Sequence, residues 1–83
     1  MRVRLFAALR EIAGSAWIDA PDEPDVSALI EEVATRYGER FGAIVAAGTV
    51  VVNGRTADLR HPLDPGDEVA LLPPVSGGRS SPR

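Results

Sequence analysis

The segment from Asp25 to Gly38 constrains this chain more than any other. Val26, Leu29, Ile30, Val33, Ala34 and Tyr37 recur at the i, i+3, i+4 spacing of one apolar helical stripe. Glu31, Glu32 and Arg36 fall on the other side, and Glu32 with Arg36 makes a favourable i,i+4 pair. Asp25 is a good N-cap residue, and Gly38 stands where a helix-ending glycine belongs. The pattern predicts a helix over residues 26–37, about 18 Å long at 1.5 Å per residue. No other segment predicts a long helix, and the segments around this one read as strands. A helix with one apolar face among strands must cover one face of a sheet, so an α+β domain with a mixed sheet is expected.

Arg2 to Ala7 alternates polar and apolar as a first strand does, with a break near Leu5-Phe6. Ala8 to Ala13 reads as a short helical stretch stopped by Gly14. Residues 17–20 form a short β-prone run that pairs back on the first strand, before Pro21 and Pro24 break the chain. Phe41 to Gly48 reads either as a helical turn or as an irregular apolar segment. Thr49 to Asn53 is a continuous β-branched run, as in a strand buried on both faces, so Val51 is expected among the most buried residues. Asn53-Gly54 is a strong turn signal. Arg55 to Pro62 is polar and weakly patterned, and Pro65-Gly66-Asp67 marks a further turn. Residues 68–72 make a final strand, ended by Pro73-Pro74 because proline cannot donate to a sheet ladder. The expected order is β-β-α-β-β. Residues 1–75 form one domain, with residues 76–83 as a flexible C-terminal tail at an edge or end of the sheet.

Composition narrows the chemistry. The 83 residues leave room for one small domain with a thin core. With no cysteine, a disulfide framework, a thiolate metal site and a Cys nucleophile are excluded on this chain. A single histidine, His61, excludes a cage built of histidines alone. A net charge of −3 argues against a general nucleic-acid or anionic-membrane binder. All nine cations are arginine, so Schiff-base chemistry and chain growth on a lysine of this chain are excluded. No run approaches the roughly 20 apolar residues of a membrane span, and the charged N-terminus is a poor signal peptide, so a cytoplasmic protein is expected.

Val75-Ser76-Gly77-Gly78 follows the rigid Pro73-Pro74. Two glycines present no side chains, so such a strip can thread a channel too narrow for other residues. From Pro73 to Gly78 the arm reaches at most about 20 Å. A body with a thin arm suits delivery of a chain end into another protein's active site. The stretch from Leu63 to Gly78, Leu-Asp-Pro-Gly-Asp-Glu-Val-Ala-Leu-Leu-Pro-Pro-Val-Ser-Gly-Gly, together with Asn53-Gly54, resembles the closing signature of the MoaD/ThiS family of sulfur carriers. The opening from Val3 to Gly14 is similar to that family too. The likeness is strongest to MoaD-type small subunits of molybdopterin synthase and covers residues 1–78.

The resemblance implies a β-grasp, ubiquitin-like fold. It implies that an E1-like enzyme of the MoeB type uses ATP to adenylate the Gly78 carboxylate, which is then converted to a thiocarboxylate. The tail, Pro74, Val75, Ser76, Gly77 and Gly78, would thread the active site of a MoaE-type large subunit for sulfur transfer to a pterin precursor in molybdenum cofactor biosynthesis. The chain is then a non-catalytic subunit that binds no cofactor itself. Gly78 is followed by Arg79-Ser80-Ser81-Pro82-Arg83, which ties up the carboxylate needed for adenylation. Either a protease of the JAMM type trims residues 79–83, or those residues are not native to the chain, or the chain is not a carrier. A thiamin-type or cysteine pathway, a ubiquitin-like modifier joined to target lysines and a passive β-grasp binding module remain the alternatives.

Other features read more plainly. Asp64, Asp67 and Glu68 cluster in a Pro-Gly turn and are taken as solvated rather than metal-binding. His61 is taken as a surface histidine, and Trp17 and Tyr37 as core or edge packing. Phe6 and Leu72, with Phe41, are candidates for a partner-facing apolar patch.

Overall fold

The computed structural model describes residues 1–74. Its elements are β1 (Arg2–Leu5), α1 (Ala7–Ala13), β2 (Trp17–Asp19), α2 (Val26–Tyr37), α3 (Glu39–Ala47), β3 (Thr49–Val52), β4 (Arg55–Ala57) and β5 (Val69–Leu72). The five strands form one sheet in the order β2-β1-β5-β3-β4. β1 and β5 run parallel at its centre, and every other pairing is antiparallel. This is the mixed sheet of a ubiquitin-like β-grasp fold, with the last strand inserted beside the first.

Alternation along each strand sends one set of side chains under the helices. Val3 and Leu5 of β1, Val50 and Val52 of β3, and Val69 and Leu71 of β5 are all buried. They meet Leu9 of α1, Val26, Leu29 and Val33 of α2, and Phe41 and Val45 of α3 in one continuous core. The stripe expected on residues 26–37 is the face that α2 buries, and the Glu32–Arg36 pair forms at 3.5 Å.

The start of α2 shows why its boundary is sharp. Its first backbone donors lack partners within the helix. Asp25 Oδ1 accepts from Ala28 N at 2.9 Å. The carbonyls of His61 and Leu59 accept from Val26 N and Ser27 N. The weakly patterned stretch before Pro62 therefore does structural work: its carbonyls cap the main helix, and Leu63 just beyond enters the core.

Several expectations are corrected. The segment left open between a helical turn and an irregular stretch, Glu39–Ala47, is a full helix, so three helices cover the sheet, with α2 the longest. α3 is held by Phe41, which is fully buried and stacks on Tyr37 at 5.0 Å between ring centroids. Phe41 therefore belongs to the core and cannot face a partner. Arg55–Ala57 is a strand, paired with β3 across the Asn53-Gly54 turn. Asn53 and Gly54 take φ of 52° and 85°, as a tight hairpin turn requires. β1 ends at Leu5, and Phe6 already caps α1. Val51 is only half-buried, since β3 sends Val50 and Val52 to the core and Val51 to the opposite face. Of the two places expected for the tail, an edge or an end of the sheet, the structure shows the end: β5 is an interior strand paired with β1 and β3, and the chain leaves from its end.

Candidate functional site

The helices pack on one face of the sheet, and the other face carries none of the buried core. Strand register lines up a row across this open face. Trp17 of β2 is opposite Arg4 of β1, Arg4 is opposite Ala70 of β5, Ala70 opposite Val51 of β3, and Val51 opposite Thr56 of β4. Ala70, Val51 and Trp17 are half-buried, while Arg4 and Thr56 are exposed.

Phe6 and Leu72 extend this face at the end where the chain departs. Leu5 and Leu71 are partners in the parallel pair, so the next residue on each strand points to the open face. Phe6 keeps an extended backbone, and Arg4 lies over its ring at 4.9 Å, which places the ring on that face. Leu72 is half-buried beside Thr49. The structure thus brings together the two apolar residues proposed to face a partner, at the base of the arm. Pro73 is half-buried and Pro74 exposed. Val75, Ser76, Gly77 and Gly78, on which the expected thread and activated carboxylate fall, lie outside the described residues.

Gly48 fixes the direction in which the arm begins. A Cβ at this position would lie 1.9 Å from the carbonyl oxygen of Leu72 and 3.1 Å from the carbonyl carbon of Pro73. The backbone from α3 into β3 therefore touches the backbone leaving β5, an approach only glycine permits.

At the other end of the central strands, the Asp64–Asp67 turn is closed by its own side chains. Asp67 accepts from Asp64 N at 2.8 Å and from Asn53 Nδ2 at 2.9 Å. Asn53 Oδ1 accepts from Glu68 N, which ties this turn to the β3–β4 hairpin. The backbone donor of Asp64 and then the Asn53 amide hold the Asp67 carboxyl below its ordinary range. These carboxylates are organised around backbone donors, as a turn needs.

Arg2, Arg4 and Trp17 form a feature that sequence reasoning passed over. Arg2 lies 4.2 Å and Arg4 5.5 Å from the Trp17 ring centroid. The signal was present in the polar positions 2 and 4 that alternate with Val3 and Leu5. Their pairing with Trp17 depends on the register of a second strand.

The model of the ThiS family matches residues 3–78. The molybdopterin synthase sulfur carrier subunit of Escherichia coli is 37% identical over 81 residues, covering 94% of this chain and 99% of that protein. The solution structure of small archaeal modifier protein 1 from Methanosarcina acetivorans superposes with a TM-score of 0.81 at 25% identity, covering 93% of this chain and 94% of that one. A chain in the complex of subunits 1 and 2 of the molybdopterin-converting factor from Helicobacter pylori is 28% identical with a TM-score of 0.58, covering 93% and 96%. With that match running from the first strand through the second glycine of the tail, this chain belongs to the ThiS family.

Proposed function

We propose that this chain is a sulfur carrier and the small subunit of a molybdopterin synthase, with the Gly78 carboxylate as its working group. The observation that carries the reading is the family match that runs through Gly78, on a chain that leaves the centre of the sheet beside Phe6 and Leu72. An E1-like enzyme of the MoeB type joins the Gly78 carboxylate to AMP from ATP, releasing pyrophosphate. A sulfur donor then displaces AMP and leaves a thiocarboxylate. The large, MoaE-type subunit covers the open face, receives residues 74–78, and moves the sulfur to its pterin substrate, leaving Gly78 as a carboxylate again. This chain supplies reach and orientation, and the transfer residues belong to the large subunit. The chain has no cysteine on which to carry a persulfide, which agrees with a backbone terminus as the carrier.

The mechanism requires removal of residues 79–83, for which a JAMM-type protease has the required chemistry. Among the described residues no helix is long and apolar enough to cross a membrane, in keeping with action beside cytoplasmic enzymes. The intact mass of the chain from its native cells tests the reading. A chain ending at Gly78, with or without one oxygen replaced by sulfur, is expected. A chain that stays full length to Arg83 while the cofactor pathway is active overturns it and leaves a passive binding module. The likeness to a small archaeal modifier protein favours one second reading, attachment to lysines of other proteins. Gly-Gly remnants on such lysines would identify it.

A further inference from the structure

Arg4 is second in the row across the open face, between Trp17 of the edge strand and Ala70 of the central one, with no charge opposite it. The row continues to Val51. Its guanidinium lies over two rings, 4.9 Å from Phe6 and 5.5 Å from Trp17. Among the described residues it has neither an ion-pair partner nor a hydrogen-bond acceptor, although the chain holds 12 acidic residues against nine arginines. Among the described arginines only Arg36 bonds through its side chain, to the Asp19 carbonyl and to Glu32, and what sets Arg4 apart from the others is its place over two rings.

Two aromatic planes restrict a side chain that would otherwise lose much rotamer freedom on docking. The guanidinium edge remains free, and its planar fork matches a carboxylate in a bidentate way that an ammonium cannot. Arg4 and Phe6 are two residues apart along a backbone that stays extended through Phe6, a separation of about 7 Å. A partner that receives the arm must abut Leu72 and Phe6, so it covers Arg4 as well. Covering an unpaired guanidinium with apolar surface is costly, which makes a facing carboxylate the fitting complement.

We infer, on the basis of the carrier reading above, that Arg4 is a specificity contact. Held by Phe6 and Trp17, it receives a carboxylate of the large subunit when that subunit covers the open face. Arg2, 4.2 Å from Trp17, supports the ring from the other end of the strand. The attraction is local, because the net charge of −3 would by itself repel an acidic surface. This contact sets which large subunit the chain accepts, separately from the apolar contacts that Phe6 and Leu72 provide.

The test is titration calorimetry of the Gly78-terminated chain against the large subunit encoded in the same genome. Arg4→Glu is expected to weaken binding by about thirtyfold or more, the size expected for a desolvated charge pair. Arg4→Lys keeps the charge but not the fork, and is expected to fall between the two. Arg40→Glu on α3 is expected to bind as the parent does. Reversing one aspartate or glutamate of the large subunit to arginine is expected to restore binding to Arg4→Glu. Thermal unfolding of Arg4→Glu should remain cooperative, with only the small loss that two exposed ring contacts contribute. Equal binding by the parent and Arg4→Glu overturns the inference. An equal loss from Arg40→Glu overturns it too, because bulk charge would then be the cause. A loss confined to adenylation by the E1-like enzyme, with the large subunit bound normally, also overturns it. Pyrophosphate release from the parent keeps the two levels apart: a parent that is never adenylated fails the carrier reading itself.

Discussion

Gly48 is the residue that most directly ties packing to the path the chain takes out of β5. Its φ of −96° is open to any amino acid, so the requirement is for space and not for backbone freedom. Gly48→Ala would set a methyl against the Leu72 carbonyl, where a Cβ has 1.9 Å. Backbone must move to admit it, and overpacking of this kind costs about 1–3 kcal/mol. Urea unfolding is expected to show that loss, and amide shifts should concentrate at Leu72 and its strand partner Thr49. Val51 illustrates the opposite case. It is half-buried on the open face, so Val51→Ala is expected to cost about 0.8 kcal/mol, the worth of roughly one buried CH2. A loss of several kcal/mol in the same titration would mean that the face is covered. The sequence could not separate Val51 from its neighbours. A run of β-branched residues shows alternation only when one face is polar, and here the open face is apolar at its centre.

Helices and turns differed in how plainly they could be read. The residues from Asp25 to Gly38 carried a cap, a stripe and a stop, and α2 forms between them. α3 carried no such marks. It begins at Gly38 without a side-chain cap and contains Gly42. Its helix is secured by tertiary contact, since Gly42 passes so close to α2 that a Cβ would lie 2.9 Å from Ala34 Cβ. β4 is three residues long with two exposed, so its pairing with β3 had no apolar pattern to announce it. Asp25→Ala should destabilise by about 1 kcal/mol, the usual worth of an N-cap, as read by urea unfolding. The turn at Asp67 adds a pH dependence. Its folded carboxyl is held below the ordinary value, so its stabilising contribution is complete above the usual carboxylate range. That contribution is lost as pH falls through the depressed folded value. Asp67→Asn is expected to remove this part of the acid sensitivity, visible as a flatter dependence of the unfolding midpoint on pH below neutrality.

At the scale of the molecule, one face of the sheet carries the core under the helices and the other, in the function proposed above, is left for a partner. A chain of 83 residues has about 4–12 kcal/mol of stability in all. Leu71 is fully buried at the centre of the core, and Leu71→Ala is expected to cost about 2–5 kcal/mol. That is a large share of the total, so partial unfolding should be measurable by circular dichroism at physiological temperature. The two-layer architecture was legible because strands on both sides of one amphipathic helix admit few other arrangements. The composition of the open face was not, because it depends on which strands are neighbours, and Arg4 meets Trp17 only through that pairing.

The parallel pairing of β1 with β5 also bears on the birth of the protein at the ribosome. The strand made first stays without its central neighbour until Val69 to Leu72 have emerged, and closure over that span is entropically slow. Premature termination anywhere before that point leaves β1 and β3 exposed at their edges, a species fit for degradation. Every molecule that folds has therefore been translated to within a few codons of its glycines, and the population of stable bodies is enriched in those able to bear the arm.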